Sequence, residues 1–171
     1  MKWDDVRRLH AEAAAELIAT AERVERDAWT RPRSEGKWSP AEIVEHLNLA
    51  YDALLKDLAG GGGMRIRTKW WQRILLRYTL VPKLLRGGAF PANARAPRET
   101  RPATANADRD AAVQAFRDRS QQFETAAAAA IASGRRVKVT HAYFGRASLV
   151  EGVLLCTRHV QHHQKQLAGS A

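Results

Sequence analysis

At 171 residues, 45% hydrophobic and with five Trp, the chain is long enough to bury a core, and a single domain over 1–171 is expected rather than disorder. Its one cysteine, Cys156, excludes a disulfide framework within the chain and fits a reducing compartment. The net charge of +10 is concentrated: between Met64 and Arg101 lie ten Lys or Arg against one Glu, Glu99, which excludes an evenly basic surface.

The N-terminal MKWDDVRRLHAEAAAELIA is punctuated by charge and lacks the apolar centre of a signal peptide. No run reaches the roughly 18–20 apolar residues of a membrane span, so a soluble, cytoplasmic protein is the expectation. From Trp3 to about Ala28, Val6, Leu9, Ala13, Leu17, Ala21 and Val24 recur at steps of three and four, which predicts a first helix. The following WTRPRSEGKW reads as a loop.

WSPAEI opens the second helix. Ser39 is its N-cap, Pro40 takes the first helical position, Glu42 completes a capping box, and Trp38 is placed to pack on Ile43. The apolar stripe continues through Leu47, Ala50, Leu54 and Leu58 to the glycines at 60–63. Next comes a basic segment, 64–105. Its first half is expected to form a short helix interrupted at Pro82, and its second half, with Pro91, Pro97 and Pro102, an extended excursion.

A third long helix starts near Asn106 or Asp108. Its seam of Val113, Phe116, Ser120, Phe123, Ala127 and Ala130 suits a bundle, and Gly134 ends it. RRVKVTHAYFG reads as a loop in which only VKVT is briefly extended. The final helix opens at Ser148, with Glu151 as the capping-box partner. The expected fold is all-α: an antiparallel four-helix bundle, with the basic, Pro-containing connection between its second and third helices.

The final helix carries TRHVQHHQKQL, with three of the six histidines, His159, His162 and His163. His159 and His163 are four apart, about 40° of rotation, so one face presents both rings to a shared ion. The steps Gly152, Cys156, His159, His163, Gln166 place that face on the inward seam. His162 lies about 100° away, out of easy reach of the same ion; it either orients a ligand or, the favoured expectation, faces solvent. A two-His site needs at least one further protein ligand, and the other three histidines are His46, His10 and His141. His46 borders the buried stripe of the second helix, His10 borders the seam of the first, and His141 lies in a loop. A hydrogen-bonded core histidine is the bland alternative at each.

WSPAEIVEHLNLAYDALL followed by HAYFG-RASLVEGVLLCTRHVQHHQKQL resembles the DinB-like superfamily of metal-binding bundles, which includes YfiT-type hydrolases. The resemblance runs from the first helix to the last. It implies a divalent metal (zinc, nickel or iron) on His46, His159 and His163, with Gln166 hydrogen-bonded behind the ligands. Cys156, His162 and His141 are further pocket candidates. Gln164-Lys165 stands where many relatives carry Arg-Gly. Members include thiol-dependent transferases and isomerases, so a low-molecular-weight thiol is a second cofactor the resemblance admits, and homodimers are common among them.

A metal-dependent enzyme acting on a small molecule is the leading expectation. Three neutral imidazoles leave the ion its 2+ charge, so a bound water or thiolate is the reacting group, for hydrolysis or S-transfer. No Ser-His-Asp set or paired carboxylates compete, and Glu45 points about 100° away from His46. A metal-binding bundle without turnover is one alternative. A binding module is another: Trp70, Trp71 and Tyr78 lie among Arg67, Lys69, Arg73 and Arg77 in segment 65–101, a mixture suited to nucleic acid or an anionic membrane. The simpler expectation is that these aromatics pack over the bundle while the arginines reach solvent.

Overall fold

Residues 1–88, 90–91 and 95–169 are described by a computed structural model, in which helices dominate and a two-stranded sheet is the sole addition among those residues. Positions 89 and 92–94 of the basic segment lie outside the described residues. Helix α1 spans Trp3–Arg23, five residues short of the expected end. The chain turns extended at Val24, whose freed carbonyl accepts from Arg109 Nη1 (2.8 Å). Leaving the helix carries Trp29 into full burial, where its indole N–H donates to the Asn106 carbonyl (2.9 Å). Burying a large aromatic outweighs one more helical turn.

Helix α2, Pro40–Leu58, begins as its sequence dictates. Ser39 Oγ accepts from the Glu42 amide (3.2 Å) and Glu42 Oε2 accepts from the Ser39 amide (2.7 Å). Helix α3, Trp70–Leu85, is a correction: it runs through Pro82 instead of stopping there. An interior proline costs about 3 kcal/mol. Val81 and Leu84 are buried on Phe144 and Leu155, and each buried side chain returns about 1.5–3 kcal/mol, so the last turn holds. The outward side of α3 is a second correction. Trp70, Trp71, Ile74, Leu75 and Tyr78 do not pack over the other helices but stand exposed. Beyond α3 the connection makes one 3-10 turn at Arg98–Thr100.

Helix α4, Arg109–Ala132, is capped by Asp108, whose Oδ1 accepts from the amides of Asp110 and Ala111. All six residues of its expected seam are buried. Strands β1 (Lys138–His141) and β2 (Gly145–Ser148) then form an antiparallel hairpin, pairing Val139 with Ala147. The expected extension at VKVT forms one residue later, as KVTH, while its partner strand GRAS has no strand signal in the sequence. The hairpin closes on HAYFG: His141 Nδ1 accepts from the amides of Tyr143 (3.2 Å) and Phe144 (3.4 Å), and Gly145 takes φ +72°, a conformation that favours glycine. Helix α5, Leu149–Ala168, follows directly, with Ser148 and Glu151 as a complete capping box. A Cβ at Gly152 would overlap Val139, so glycine there lets β1 lie on α5.

Helix α1 packs chiefly on α5 and α2 chiefly on α4; α1 also meets α4, and α2 meets α5. Val6, Leu17, Leu47, Phe116, Phe123 and Leu167 fill the space between them. This packing turns the middle of α2 towards the second half of α5. No described helix is long and apolar enough to cross a membrane.

Candidate metal centre

His46 on α2 and His159 and His163 on α5 meet at that junction. Their Nε2 atoms converge: His159 Nε2 lies 3.0 Å from His46 Nε2 and 3.0 Å from His163 Nε2. One nitrogen from each ring falls within 4.8 Å of the others, and among the described residues this is the group of three that can hold a metal ion.

The outer nitrogens decide what the inner ones carry. His46 Nδ1 donates to the Thr100 carbonyl (2.6 Å), and His163 Nδ1 donates to Gln166 Oε1 (2.8 Å). Since a carbonyl oxygen only accepts, both rings keep their proton on Nδ1 and aim a lone pair from Nε2. A single proton on His159 Nε2 could serve these lone pairs only as a forked donor. A cation satisfies all three, and nitrogens 3.0 Å apart can both reach the roughly 2.0–2.1 Å of a metal–imidazole bond. The residues present therefore fit a divalent ion.

Burial tunes the same rings. It holds His159 and His163 well below the ordinary histidine range, and in each case the neighbouring imidazoles push further down. His46 is lowered too, by burial first, with the Thr100 carbonyl opposing. Neutral imidazole is the ligating form, so no proton has to leave before an ion binds at neutral pH.

A cavity of about 1070 Å³ opens over the three rings. Leu54, Leu76, Leu80, Phe90 and Leu155 contribute apolar wall. Arg33, Lys37, Arg95 and Arg101 also border it, and no Asp or Glu is among its described lining residues. Such a site suits a ligand with an apolar body and an anionic end.

A profile of the DinB superfamily matches residues 9–167. The chain belongs to the DinB superfamily. Neither the comparison with curated proteins nor that with solved structures returns a match.

The remaining pocket candidates of this DinB-superfamily chain take different places. Gln166 bridges two histidines, accepting from His163 and donating from Nε2 to His162 Nε2 (3.1 Å). His162 is therefore half-buried and tied to that bridge, with Phe90 5.3 Å from its ring, instead of facing solvent. Cys156 lines the cavity, but burial pushes its thiol up to about 12, so it stays protonated and is a poor ligand. His141 also lines the cavity, outside the group of three; its Nδ1 caps the hairpin turn and burial lowers it to about 4. His10 is the core histidine of the bland reading, with Nε2 2.9 Å from Tyr51 Oη. Gln164, at the family departure, donates to Thr20 Oγ1 (3.1 Å) and so joins α5 to α1.

Two participants had no prior signal. Thr100 acts through its backbone carbonyl, which any residue could supply. Trp38 half-covers the site, its indole 4.8 Å from His46 and close to parallel with His163 (6.3 Å, 21°). Its place before the cap marked it for the helix terminus, not for the metal centre.

Proposed function

We propose that this chain is a metal-dependent enzyme acting on a small molecule, with His46, His159 and His163 as its ligands and a coordination position open to the cavity. The convergence of three Nε2 atoms beneath that cavity carries the reading. Around it, α1, α2, α4 and α5 make an antiparallel four-helix bundle, to which α3 and the basic connection add the outer wall. A bound zinc, nickel or iron ion supplies Lewis acidity, lowering the pKa of a water or thiol that reaches it.

The chain's own residues do the rest. Thr100 and Gln166 fix the tautomers of His46 and His163, and Trp38 and Phe90 shield the rings from water. The apolar wall takes the body of the substrate, and Arg33, Lys37, Arg95 and Arg101 favour an anionic end. Hydrolysis and transfer from a low-molecular-weight thiol both fit this arrangement. A bundle that holds metal without turnover has less use for so large a cavity directly over the ligands.

Elemental analysis of the purified protein tests the reading. One equivalent of bound metal is expected, lost in His46→Ala and His159→Ala while the helical signal persists. A folded wild-type chain that takes up no divalent metal overturns it. Assay of the loaded protein against ester and amide substrates, and against electrophiles with low-molecular-weight thiols, then separates hydrolysis from S-transfer.

A further inference from the structure

Large apolar side chains are almost all hidden in this chain, except along one strip. Ile66, Trp70, Trp71, Ile74, Leu75 and Tyr78 are 39–79% exposed, and Met1 is the only other large hydrophobic so placed among the described residues. The five on α3 fall within an arc of about 140°, so they form one continuous face. Helix α3 is already anchored through its other side. Leu76 and Leu80 line the cavity and Val81 and Leu84 pack on Phe144 and Leu155, so the outer face is not a packing requirement of the fold.

Cations surround the strip. Arg65, Arg67 and Lys69 precede it and Lys83 and Arg86 follow it, all exposed. The single acidic residue of the segment, Glu99, is engaged with Arg67 (3.0 Å). Lys83 and Arg86 suit the C-terminal end of the helix, but the charge at its start does not help it. Lys69 stands at the N-cap, where an ammonium has no acceptor to offer, and the first turn holds no acidic residue.

We propose that the outer face of α3 docks this protein onto an anionic membrane surface, lying in the plane of the interface. Trp and Tyr suit the headgroup level, Ile74 and Leu75 the acyl boundary, and the flanking Arg and Lys the negative lipids. A second copy is the poorer occupant, because a two-fold contact here would oppose two segments that each carry ten cations and one Glu. A nucleic acid satisfies the charge and can stack on the aromatics, but it offers no apolar phase to Ile66, Ile74 and Leu75. Docking would bring the cavity to within about one helix diameter, roughly 10 Å, of the lipid, since α3 forms its wall.

The test is flotation of the full chain with vesicles of phosphatidylcholine alone and of equal parts phosphatidylcholine and phosphatidylglycerol. Binding to the anionic vesicles is expected, weakened by salt, with tryptophan emission quenched by brominated lipid. Trp71→Glu combined with Leu75→Glu should reduce that binding at least about tenfold. Circular dichroism and metal content of the double variant serve as its folding control, because neither residue touches the core or the histidines. A second variant, Arg65→Glu with Lys69→Glu, should lose anionic but not residual neutral binding. Failure to float at low salt overturns the proposal, as does equal binding to neutral vesicles or wild-type binding by the double variant. So does a wild-type dimer that the double variant abolishes without vesicle binding, or capture of single-stranded oligonucleotide in its place.

Discussion

Helices α5 and α3 are both amphipathic, and both concentrate one kind of side chain on one face, yet they use it in opposite ways. Helix α5 turns His159 and His163 inward, where burial strips them of charge and the bond to Gln166 settles which nitrogen of His163 is free. Helix α3 turns Trp70, Trp71 and Tyr78 outward, where they stand exposed. The difference lies in what each face needs. An imidazole becomes a ligand only when its proton is placed, which takes neighbours on several elements, whereas an adhesive face needs only exposure and a rigid support.

The contrast can be broken most severely by acid. Burial lowers His10 and His141, the latter to about 4, and lowers the three ligand rings as well. Each folded value lies below the unfolded one near 6.5, so the unfolded chain takes up protons that the folded chain refuses. Stability of the metal-free protein is therefore full above about pH 6.5 and falls as the pH drops towards 4, with His141 alone contributing on the order of 3 kcal/mol. Urea midpoints across that range would show it; a flat profile would mean that these rings are hydrated.

Removing His159 should have the next largest effect. With metal at about a hundred times its Kd the wild type gains about 2.7 kcal/mol, and His159→Ala should gain none, read as the loss of the metal-induced rise in Tm. Gln166→Leu keeps the ligands but frees the His163 ring, so metal affinity should fall by about ten- to a hundredfold in competition with a chelator. At the far end, Leu75→Ala on the outer face of α3 should change stability by no more than about 0.5 kcal/mol. A larger loss there would show that the face is covered within the chain.

What could be read in advance follows the same division. The caps of α2 and α5 and the seam of α4 depend on residues within a few positions, and they were legible because caps and periodicity are local signals. The His159–His163 pair was legible for the same reason, and His46 because it borders an apolar stripe. The pairing of His46 with Thr100 was not, since a carbonyl carries no residue signature and 54 positions separate the two. The strand GRAS hid because two small residues and a glycine have no β-pattern. The passage of α3 through Pro82 depended on a distant cluster at Phe144 and Leu155. The expectation that the α3 aromatics cover the bundle failed because an amphipathic pattern shows that a helix has two faces, but not which of them meets the core.

The Thr100 carbonyl has a consequence of its own. It ties the 3-10 turn at Arg98–Thr100 directly to the ring of His46, a rivet between the connection that follows α3 and the interior of the bundle. Any ion that immobilises this ring also restrains the turn bonded to it and suppresses local opening there. Amide hydrogen exchange around the 3-10 turn should accordingly slow when metal is added, making this stretch of backbone a reporter of occupancy far along the chain from the ligands on α5.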